Sequence, residues 1–546
     1  MVHILRIKSG TDYTKNNNQS HRRYANRLGG EKVEDSGEKS SRYSKYTLFT
    51  FTVFSGICYF ILHRLPLAVD DFGFQQIEFN TFSDVLRFAL GYGNGRLLGN
   101  SGIIFLTHHL FIADVLRAIM LSGIAILLPT VLQLKNRVLP WLSMLLILTI
   151  SPGVFGQTYS WMSGFQNYVP PVFLFLCGLW LVEKAGVCAS STARILFSFL
   201  CFVCSISMQL YIEHSTCFNL LLSAFILGTV WKNIKWKPYR LASTLFFFGA
   251  VFGFAIMGMV MLRSNPQIQD GTVGHISYLS LGFRALFYGI GRNGVLLLGM
   301  LSENAVILLL LSLLLTVQIM RNKTAFTARE LFFYPLCMLL PTVVFSLQLA
   351  VGLHPWYGRL TVCESAWILL AWIVYIFAYV ISWRKLLSVN EKNEKLRLAA
   401  WLSYAAGFGM IPLLFIWPIG YRCLFHSGVA LIGAVLTLAD DILLELRPEK
   451  HRIVRIALAS VLAVTVICEG MIFTDIRRMV SIRDAYVEEQ ARLGADTAAF
   501  FLIPSSYIYE NWNEETEHYR TIDGHQIRLR ILPADVWFRM YYYHYT

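Results

Sequence analysis

Long apolar stretches alternate with short polar connections along most of the chain. A transmembrane helix needs about 20 apolar residues, because the hydrocarbon core of a bilayer is ~30 Å thick. Such stretches lie near residues 47–63, 103–128, 138–155, 169–184, 194–211, 215–231, 241–262, 293–320, 331–353, 361–383, 398–417, 424–444 and 452–474. The pattern therefore predicts about 13 transmembrane helices.

The interruption at Glu213 and His214 decides the count in the middle of the chain. Without these two residues, Ile195 to Trp231 would form one long apolar stretch. We interpret Glu213-His214 as a tight turn between two helices, because this choice keeps the basic connections on one side of the membrane.

Lysine and arginine gather in alternate connections. Each of six connections carries at least two of them: LKNR, EKAGVCASSTAR, WKNIKWKPYR, RNKTAFTARE, WRKLLSVNEKNEKLR and LRPEKHR. Since basic loops stay in the cytoplasm, we predict a cytoplasmic N-terminus and an extracytoplasmic C-terminal tail in the cell membrane (inner or plasma). The net charge of +13 is then explained by orientation, and no nucleic-acid partner is expected.

Composition agrees with a membrane protein. Hydrophobic residues make up 55% of the chain and charged residues 15%, whereas soluble proteins carry about 25% charged residues. The fold class expected is an all-α polytopic membrane protein. The ten cysteines lie in or beside apolar segments without a CxxC pair, so neither disulfides nor a zinc site are expected.

Three regions follow from these patterns. Residues 1–45 are rich in Lys, Arg, Ser, Asn and Gly and are expected to form a disordered, basic cytosolic arm. Residues 46–474 form the membrane domain. Residues 475–546 are polar, with turn signals at PSS and NWNEE and an alternating segment HQIRLRIL that predicts a strand. We expect a small α+β or irregular tail.

Polar residues that suit chemistry concentrate on the predicted outer side. Asp70 and Asp71 follow the first span directly in LPLAVDDFGF. Ionisable groups near span ends are costly unless paired or hydrated, which favours a shared water-filled cavity. The alternatives are plain loop solvation for the aspartates and a structural ion pair for Glu213-His214.

Several motifs on that side resemble one class of enzyme. VDDFGF, then the amphipathic stretch FNTFSDVLRFALGYGNGRLLGN, then WMSGFQNYVPP, YIEHSTCFNL and HPWYGR are similar to the GT-C class of polytopic glycosyltransferases. The resemblance is closest to bacterial members related to the glucosyltransferases that decorate O-antigen and other cell-surface polysaccharides. It covers most of the membrane domain but neither the basic arm nor the tail.

The resemblance implies an inverting transfer of a sugar from a polyprenyl-phosphate donor to a glycan acceptor, beside membrane lipid at the outer face. Asp70 or Asp71 would be the catalytic base, with the other orienting it. Arginines would hold the leaving phosphate, since a guanidinium fork suits phosphate oxygens. The implied substrate-binding residues are Asn94, Arg96, Trp161, Asn167, Glu213, His214, Arg263, His354, Tyr357 and Arg359. Arg359 could equally be an interfacial anchor.

Two questions stay open at the level of sequence. A divalent cation, Mg²⁺ or Mn²⁺, bridging a carboxylate and the phosphate is the alternative to an acid–base role for the aspartates. A lipid-linked oligosaccharide flippase or another polytopic transporter is the alternative function, and it would favour charges along the middle of the spans and a repeat between halves. Neither feature stands out in the sequence.

Overall fold

The computed structural model describes residues 36–68, 70–91, 94–232, 234–263, 276–277, 282–350, 362–417, 419–503, 505, 507–508, 518–522 and 525–532. The α-helices of these ranges are α1 (Ser36–Leu62), α2 (Asp71–Gln75), α3 (Phe82–Gly91), α4 (Leu97–His108), α5 (Leu110–Val131), α6 (Leu139–Leu148), α7 (Pro152–Phe155), α8 (Met162–Val187), α9 (Ser191–Met208), α10 (Glu213–Lys232), α11 (Arg240–Arg263), α12 (Phe283–Met300), α13 (Ala305–Arg321), α14 (Ala328–Ala350), α15 (Val362–Val389), α16 (Glu394–Met410), α17 (Phe425–Leu444) and α18 (Pro448–Arg492). The strands are β1 (Ile276–Ser277), β2 (Ile416–Trp417), β3 (Thr497–Phe501), β4 (His518–Ile522) and β5 (His525–Leu532).

The molecule is a multi-pass helical bundle, as predicted. In the part of the chain that the structure describes, 12 helices are long and apolar enough to cross a membrane, and a bent pair brings the number to 13. The bent pair is α6 with α7 and the π-helical turn Gly156–Ser160 that follows, and its two halves meet at 83°. It corresponds to the predicted span 138–155.

The bent pair crosses the bundle rather than turning back. At its start, the indole N–H of Trp141 donates to the Tyr46 hydroxyl (2.7 Å), beside the first apolar residues of α1. At its far end, the backbone N–H of Met162 donates to Asp71 (2.9 Å), beyond the last residue of α1. Since α1 spans the bundle between these two contacts, the pair spans it too. The break lies at Ser151-Pro152, where proline has no N–H to continue a helix.

Two predicted spans have different limits. The segment 103–128 is interrupted at His109, so the spanning helix begins at Leu110 and α4 is a separate helix. The segment 293–320 belongs to a longer element, Phe283–Arg321, in which the 3₁₀ turn Leu301–Asn304 joins α12 to α13. Hydropathy alone does not locate these turns, because the few polar residues that form them are averaged with the long apolar segments on either side.

The first and last helices extend past the predicted membrane domain. Helix α1 begins at Ser36, so the end of the segment predicted as a disordered arm is helical; residues 1–35 lie outside the described ranges. Helix α18 runs for 45 residues to Arg492 instead of ending near residue 474. At 1.5 Å per residue, α18 is about 68 Å long, more than twice the thickness of hydrocarbon.

The basic connections meet at one end of the bundle, here named the basic end. Asp440 accepts a hydrogen bond from Asn136 N (3.0 Å) and pairs with Lys395 Nζ (2.5 Å). The side chains of Asn390 and Asn322 are hydrogen-bonded at 3.0 Å. These contacts join connections that the alternation of charge assigned to one side. Which side faces the cytoplasm stays a prediction.

The tail is built onto the end of α18. Strand β5 pairs in parallel with β3 and antiparallel with β4, in the order β3–β5–β4. The strand predicted from HQIRLRIL is therefore confirmed as β5. One small apolar core joins the last turns of α18 to the sheet, with Val487, Ala491, Ala498, Phe500, Ile527 and Leu529 buried together.

Candidate functional site

Asp71 anchors the first loop to the start of α8. Its carboxylate accepts hydrogen bonds from Met162 N (2.9 Å), Ser163 N (2.9 Å) and Ser163 Oγ (2.8 Å), and from Ala68 N (3.1 Å). Met162 and Ser163 are the first residues of α8, where backbone N–H groups lack partners within the helix. Asp71 supplies those partners and is itself fully buried. Its role in the structure is to position the loop.

Asp70 is the accessible member of the pair. Its side chain is exposed to solvent, and Trp161 Nε1 donates to its Oδ1 at 2.6 Å. The guanidinium carbon of Arg422 lies 5.2 Å from the centre of a Trp161 ring, which brings a cation close to the carboxylate. The loop thus presents one open carboxylate next to an indole and an arginine.

Both aspartates have raised pKa values. Burial raises the pKa of Asp71 to about 7, the adjacent Asp70 carboxylate adds to the shift, and the hydrogen bonds from Met162 N and Ala68 N oppose it. Protein packed around the part of Asp70 that does not face solvent raises its pKa, while the hydrogen bond from Trp161 opposes this change. A raised pKa makes a carboxylate a stronger base near neutral pH.

Arg96 is paired with Glu213. Its Nε and Nη2 donate to the two carboxylate oxygens at 2.9 and 3.0 Å. Asn94 shapes the turn that leads to this pair, because its Oδ1 accepts from Arg96 N (3.0 Å) and from Asn100 Nδ2 (2.8 Å). Gly95 has φ of 76° in this turn, a conformation that favours glycine.

This pairing bears on the expectation that Arg96 and Glu213 bind substrate, which stays a prediction. Glu213 is held in an ion pair that stabilises the packing of α10 on the turn before α4, which is the structural alternative that the sequence left open. Half of the guanidinium fork of Arg96 is engaged by that carboxylate, so this side chain is less suited to phosphate than predicted. Asn94 likewise acts on the backbone.

Asn167 lies one turn beyond the residues that hold Asp71. Its Nδ2 donates to Ser163 O (2.8 Å), and a Cβ at Gly99 would lie 2.3 Å from its Oδ1. That oxygen is buried without a hydrogen-bond partner among the described residues. A larger residue at position 99 would therefore have to displace the Asn167 amide where α4 approaches α8.

His214 begins a cluster that continues toward the middle of the bundle. Its ring lies 5.5 Å from Tyr168 and 5.9 Å from His426, measured between centroids. His426 Nε2 and the Ser215 hydroxyl are 2.7 Å apart, and Asn219 Nδ2 donates to the same hydroxyl (3.2 Å). We call His214, Ser215, Asn219 and His426 the histidine cluster.

Arg422 was not among the residues predicted for the site. Gln157 Oε1 accepts from its backbone N–H (3.2 Å) and from Nη1 (3.3 Å). The π-helical turn that contains Gln157 and the short 3₁₀ helix that contains Arg422 both lie at the end opposite the basic end. The available signal was an arginine in the short outer connection IGYR.

An ion pair inside α5 was also missed. Arg117 donates to Asp114 and, through Nη1, to Tyr159 O (3.1 Å), and His63 Nδ1 lies 3.0 Å from Asp114 Oδ2. Opposite charges three residues apart within an apolar span were the signal in the sequence. The pair ties α5 to the end of α1 and to the π-helical turn.

The remaining predicted site residues cannot be placed with the others. His354, Tyr357 and Arg359 lie outside the described residues, and only the backbone of Arg263, the last residue of α11, is described. Asp70, Asp71, Trp161, Asn167, Asn94, Arg96, Glu213 and His214 are brought together by the contacts above.

The described carboxylates fit a divalent cation poorly. Both oxygens of Asp71 already accept hydrogen bonds from N–H or O–H groups, which leaves Asp70 as the one accessible carboxylate of the pair. Mg²⁺ and Mn²⁺ prefer several oxygen ligands. Across the described ranges no group of three or more His, Cys, Asp or Glu side chains could hold a metal ion.

The tail contacts the aspartate loop and the bent pair through two aromatic pairs. The ring of Phe72, next to Asp71, packs edge-to-face on Phe500 of β3 with centroids 6.5 Å apart. Tyr507 packs in the same way on Phe155, which directly precedes the π-helical turn (5.3 Å). The tail and the aspartate loop therefore share one end of the bundle, which we name the carboxylate end.

Comparisons with known proteins leave this site without an assigned relative: no family model, no curated protein and no solved structure matches the chain.

Proposed function

We propose that this chain is a membrane glycosyltransferase of the GT-C class. It transfers a sugar from a polyprenyl-phosphate donor to a cell-surface polysaccharide or lipid-linked glycan at the outer face of the cell membrane. The observation that carries the proposal is the asymmetric aspartate pair. One carboxylate is open to solvent beside an indole and an arginine, and the other fixes the loop from beneath.

The chemistry proposed for Asp70 is general-base catalysis. The acceptor hydroxyl attacks the anomeric carbon of the donor while its proton passes to Asp70. The bond between that carbon and the phosphate oxygen breaks, and the phosphate leaves with the electron pair. Developing charge on the phosphate is stabilised by a nearby cation, and Arg422 is the cation closest to Asp70 by the contacts described.

Asp71 is proposed as a positioning residue. Because four hydrogen bonds converge on its carboxylate, it has no free face for an acceptor. Its contribution is to hold Asp70 at a constant distance from Trp161 and Arg422.

The test is transfer of a radiolabelled sugar from polyprenyl phosphate by the purified protein in detergent. Asp70→Asn should lose about 10²–10⁴-fold in rate, since the amide keeps the size of the carboxylate but accepts no proton, and its thermal stability should match wild type. Asp71→Asn should instead unfold at lower temperature, because three backbone N–H donors lose their charged acceptor, and a buried donor left unsatisfied costs about 1–3 kcal/mol.

Asp84→Asn is the matched control. Asp84 accepts from Thr81 N (2.9 Å) in the first turn of α3, and asparagine keeps an oxygen acceptor there, so the rate of sugar transfer should match wild type. Wild-type transfer by Asp70→Asn would refute the proposal. Counterflow of a lipid-linked oligosaccharide in liposomes, without sugar transfer in detergent, would establish the transporter alternative.

A further inference from the structure

A cavity of about 510 Å³ lies among the helices on the membrane side of the histidine cluster. Helices α5, α8, α10, α16 and α17 line it. The lining is almost entirely apolar, and Asn219 and His426 are the members of the histidine cluster that reach it. Apolar cavities of ligand size stay dry and take apolar molecules.

The cavity opens between α10 and α16 toward the surface that faces hydrocarbon. Leu221 of α10 and Phe408 of α16 belong to its lining, yet 68% and 65% of their surface is exposed. Toward the basic end, the rings of Phe225 and Trp401 approach to 5.9 Å between centroids and narrow the cleft. On α16 the lining runs from Trp401 to Phe408, which is about 10 Å at 1.5 Å per residue. We call this cavity the slot.

The end of the slot nearest the aspartates is polar and complementary to an anion. His426 Nδ1 and His214 Nε2 are buried without hydrogen-bond partners in the described ranges. Arg96 and Arg422 raise the positive potential at His214. Tyr168 connects this end to the aspartates, because its ring packs on His214 and its hydroxyl lies 3.6 Å from the Cys423 sulfur, beside Arg422.

We propose that this slot binds the isoprenoid chain of the donor, with the phosphate of the donor at the histidine cluster. The assignment rests on the proposed function for the identity of the lipid. An apolar slot open to hydrocarbon fits a single chain of isoprene units, and the two unpartnered imidazole nitrogens fit an anionic headgroup. The phosphate then lies between the slot and the open carboxylate of Asp70.

Binding of tritiated polyprenyl phosphate and of neutral polyprenol to the full-length protein in detergent tests the site without depending on catalysis. Ala405→Phe, which fills the slot from α16, should weaken binding of both lipids by about tenfold or more. Gly407→Phe introduces the same side chain on the same helix, at a position with no atom within 4 Å of an added Cβ, and should bind both lipids as wild type does. Ala430→Phe, from the facing helix α17, is a second filling variant should Ala405→Phe not fold.

His426→Ala separates the headgroup from the chain. It should weaken binding of polyprenyl phosphate while leaving polyprenol binding unchanged. Unaltered binding by folded Ala405→Phe and Ala430→Phe would overturn the proposed site, and so would displacement of polyprenyl phosphate by an equal concentration of phosphatidylglycerol. Slot-dependent binding in a protein that transfers no sugar would support the lipid site and refute the glycosyltransferase proposal.

Discussion

Asp70 and Asp71 are neighbours in sequence but differ in what surrounds them. The N-terminus of α8 surrounds Asp71 with donors, whereas Asp70 receives one hydrogen bond from Trp161 and faces solvent. A single peptide bond therefore separates a side chain that holds the loop from a side chain that is open to solvent.

The hydrogen bond from Trp161 provides a residue-scale prediction about pH. The indole N–H stabilises the anion of Asp70 and lowers its pKa, so Trp161→Phe should raise that pKa. A base works as the anion, and the acidic limb of the pH–rate profile should move to higher pH. Transfer rates measured between about pH 4 and pH 8 would show the shift, because the unperturbed pKa of Asp is about 3.9 and that of the pair is raised.

Trp141→Phe is the control, since it removes an indole hydrogen bond at the basic end. A lower rate in Trp161→Phe with an unmoved acidic limb would mean that Trp161 supports structure alone.

The sequence indicates which residue types gather at the site but not how they pair. The sequence alone locates the adjacent aspartates after the first span and the glutamate between two later spans. Their partners are 91 residues away for Asp71 and 117 residues away for Glu213. Because no local spacing connects residues so distant, the separation of Asp70 from Asp71 and the engagement of Arg96 depend on the tertiary structure.

At the scale of elements, the contact between the aspartate loop and the tail joins two regions that the sequence treats separately. Helix α18 carries the sheet to the carboxylate end, where Phe500 meets Phe72. Arg483 of α18 also packs on Phe500, with its guanidinium carbon 4.0 Å from the ring centre. The tail thereby becomes part of the support for the loop.

A double-mutant cycle tests this support. Aromatic pairs contribute about 0.5–1.5 kcal/mol beyond the burial of area, so Phe72→Ala and Phe500→Leu should show a coupling of that size in the free energy of unfolding. Phe72→Ala should also lower the rate of sugar transfer, because the loop carrying Asp70 loses one contact. Thermal unfolding and transfer assays on both single variants and the double variant provide the data.

Phe79→Ala serves as the control partner, since the Phe79 ring packs on His108. Its effect should add to that of Phe500→Leu. Full additivity for Phe72 and Phe500 as well would show that the tail does not support the loop.

At the scale of the whole molecule, the number and order of the membrane-spanning helices follow from hydropathy and charge, because both patterns recur at every span. The bent pair, the turn at His109 and the extension of α18 escape such a reading. A hydropathy average over about 20 residues conceals the break at Pro152. It also gives no indication that α18 continues as a helix into polar sequence.

The basic end is predicted to face the cytoplasm, and this orientation can be tested on α18. Glu449 and Glu489 are exposed near opposite ends of α18, so one helix carries both probes. Glu489→Cys should react with a membrane-impermeant thiol reagent in intact cells, and Glu449→Cys should react only after lysis. Labelling of the wild-type protein gives the background from the native cysteines. The reverse pattern would place Asp70 in the cytoplasm and remove the proposed outer-face reaction.

The long separation between Asp71 and its donors also sets an order of events during synthesis. Met162 and Ser163 follow Asp71 by 91 and 92 residues, so at about 5–20 residues per second the ribosome reaches them on the order of 5–18 s later. Until then the carboxylate is hydrated, because the helix terminus that will cover it does not exist. Insertion of α8, the fourth crossing, is the step that dehydrates Asp71. The carboxylate end closes only after that crossing is complete.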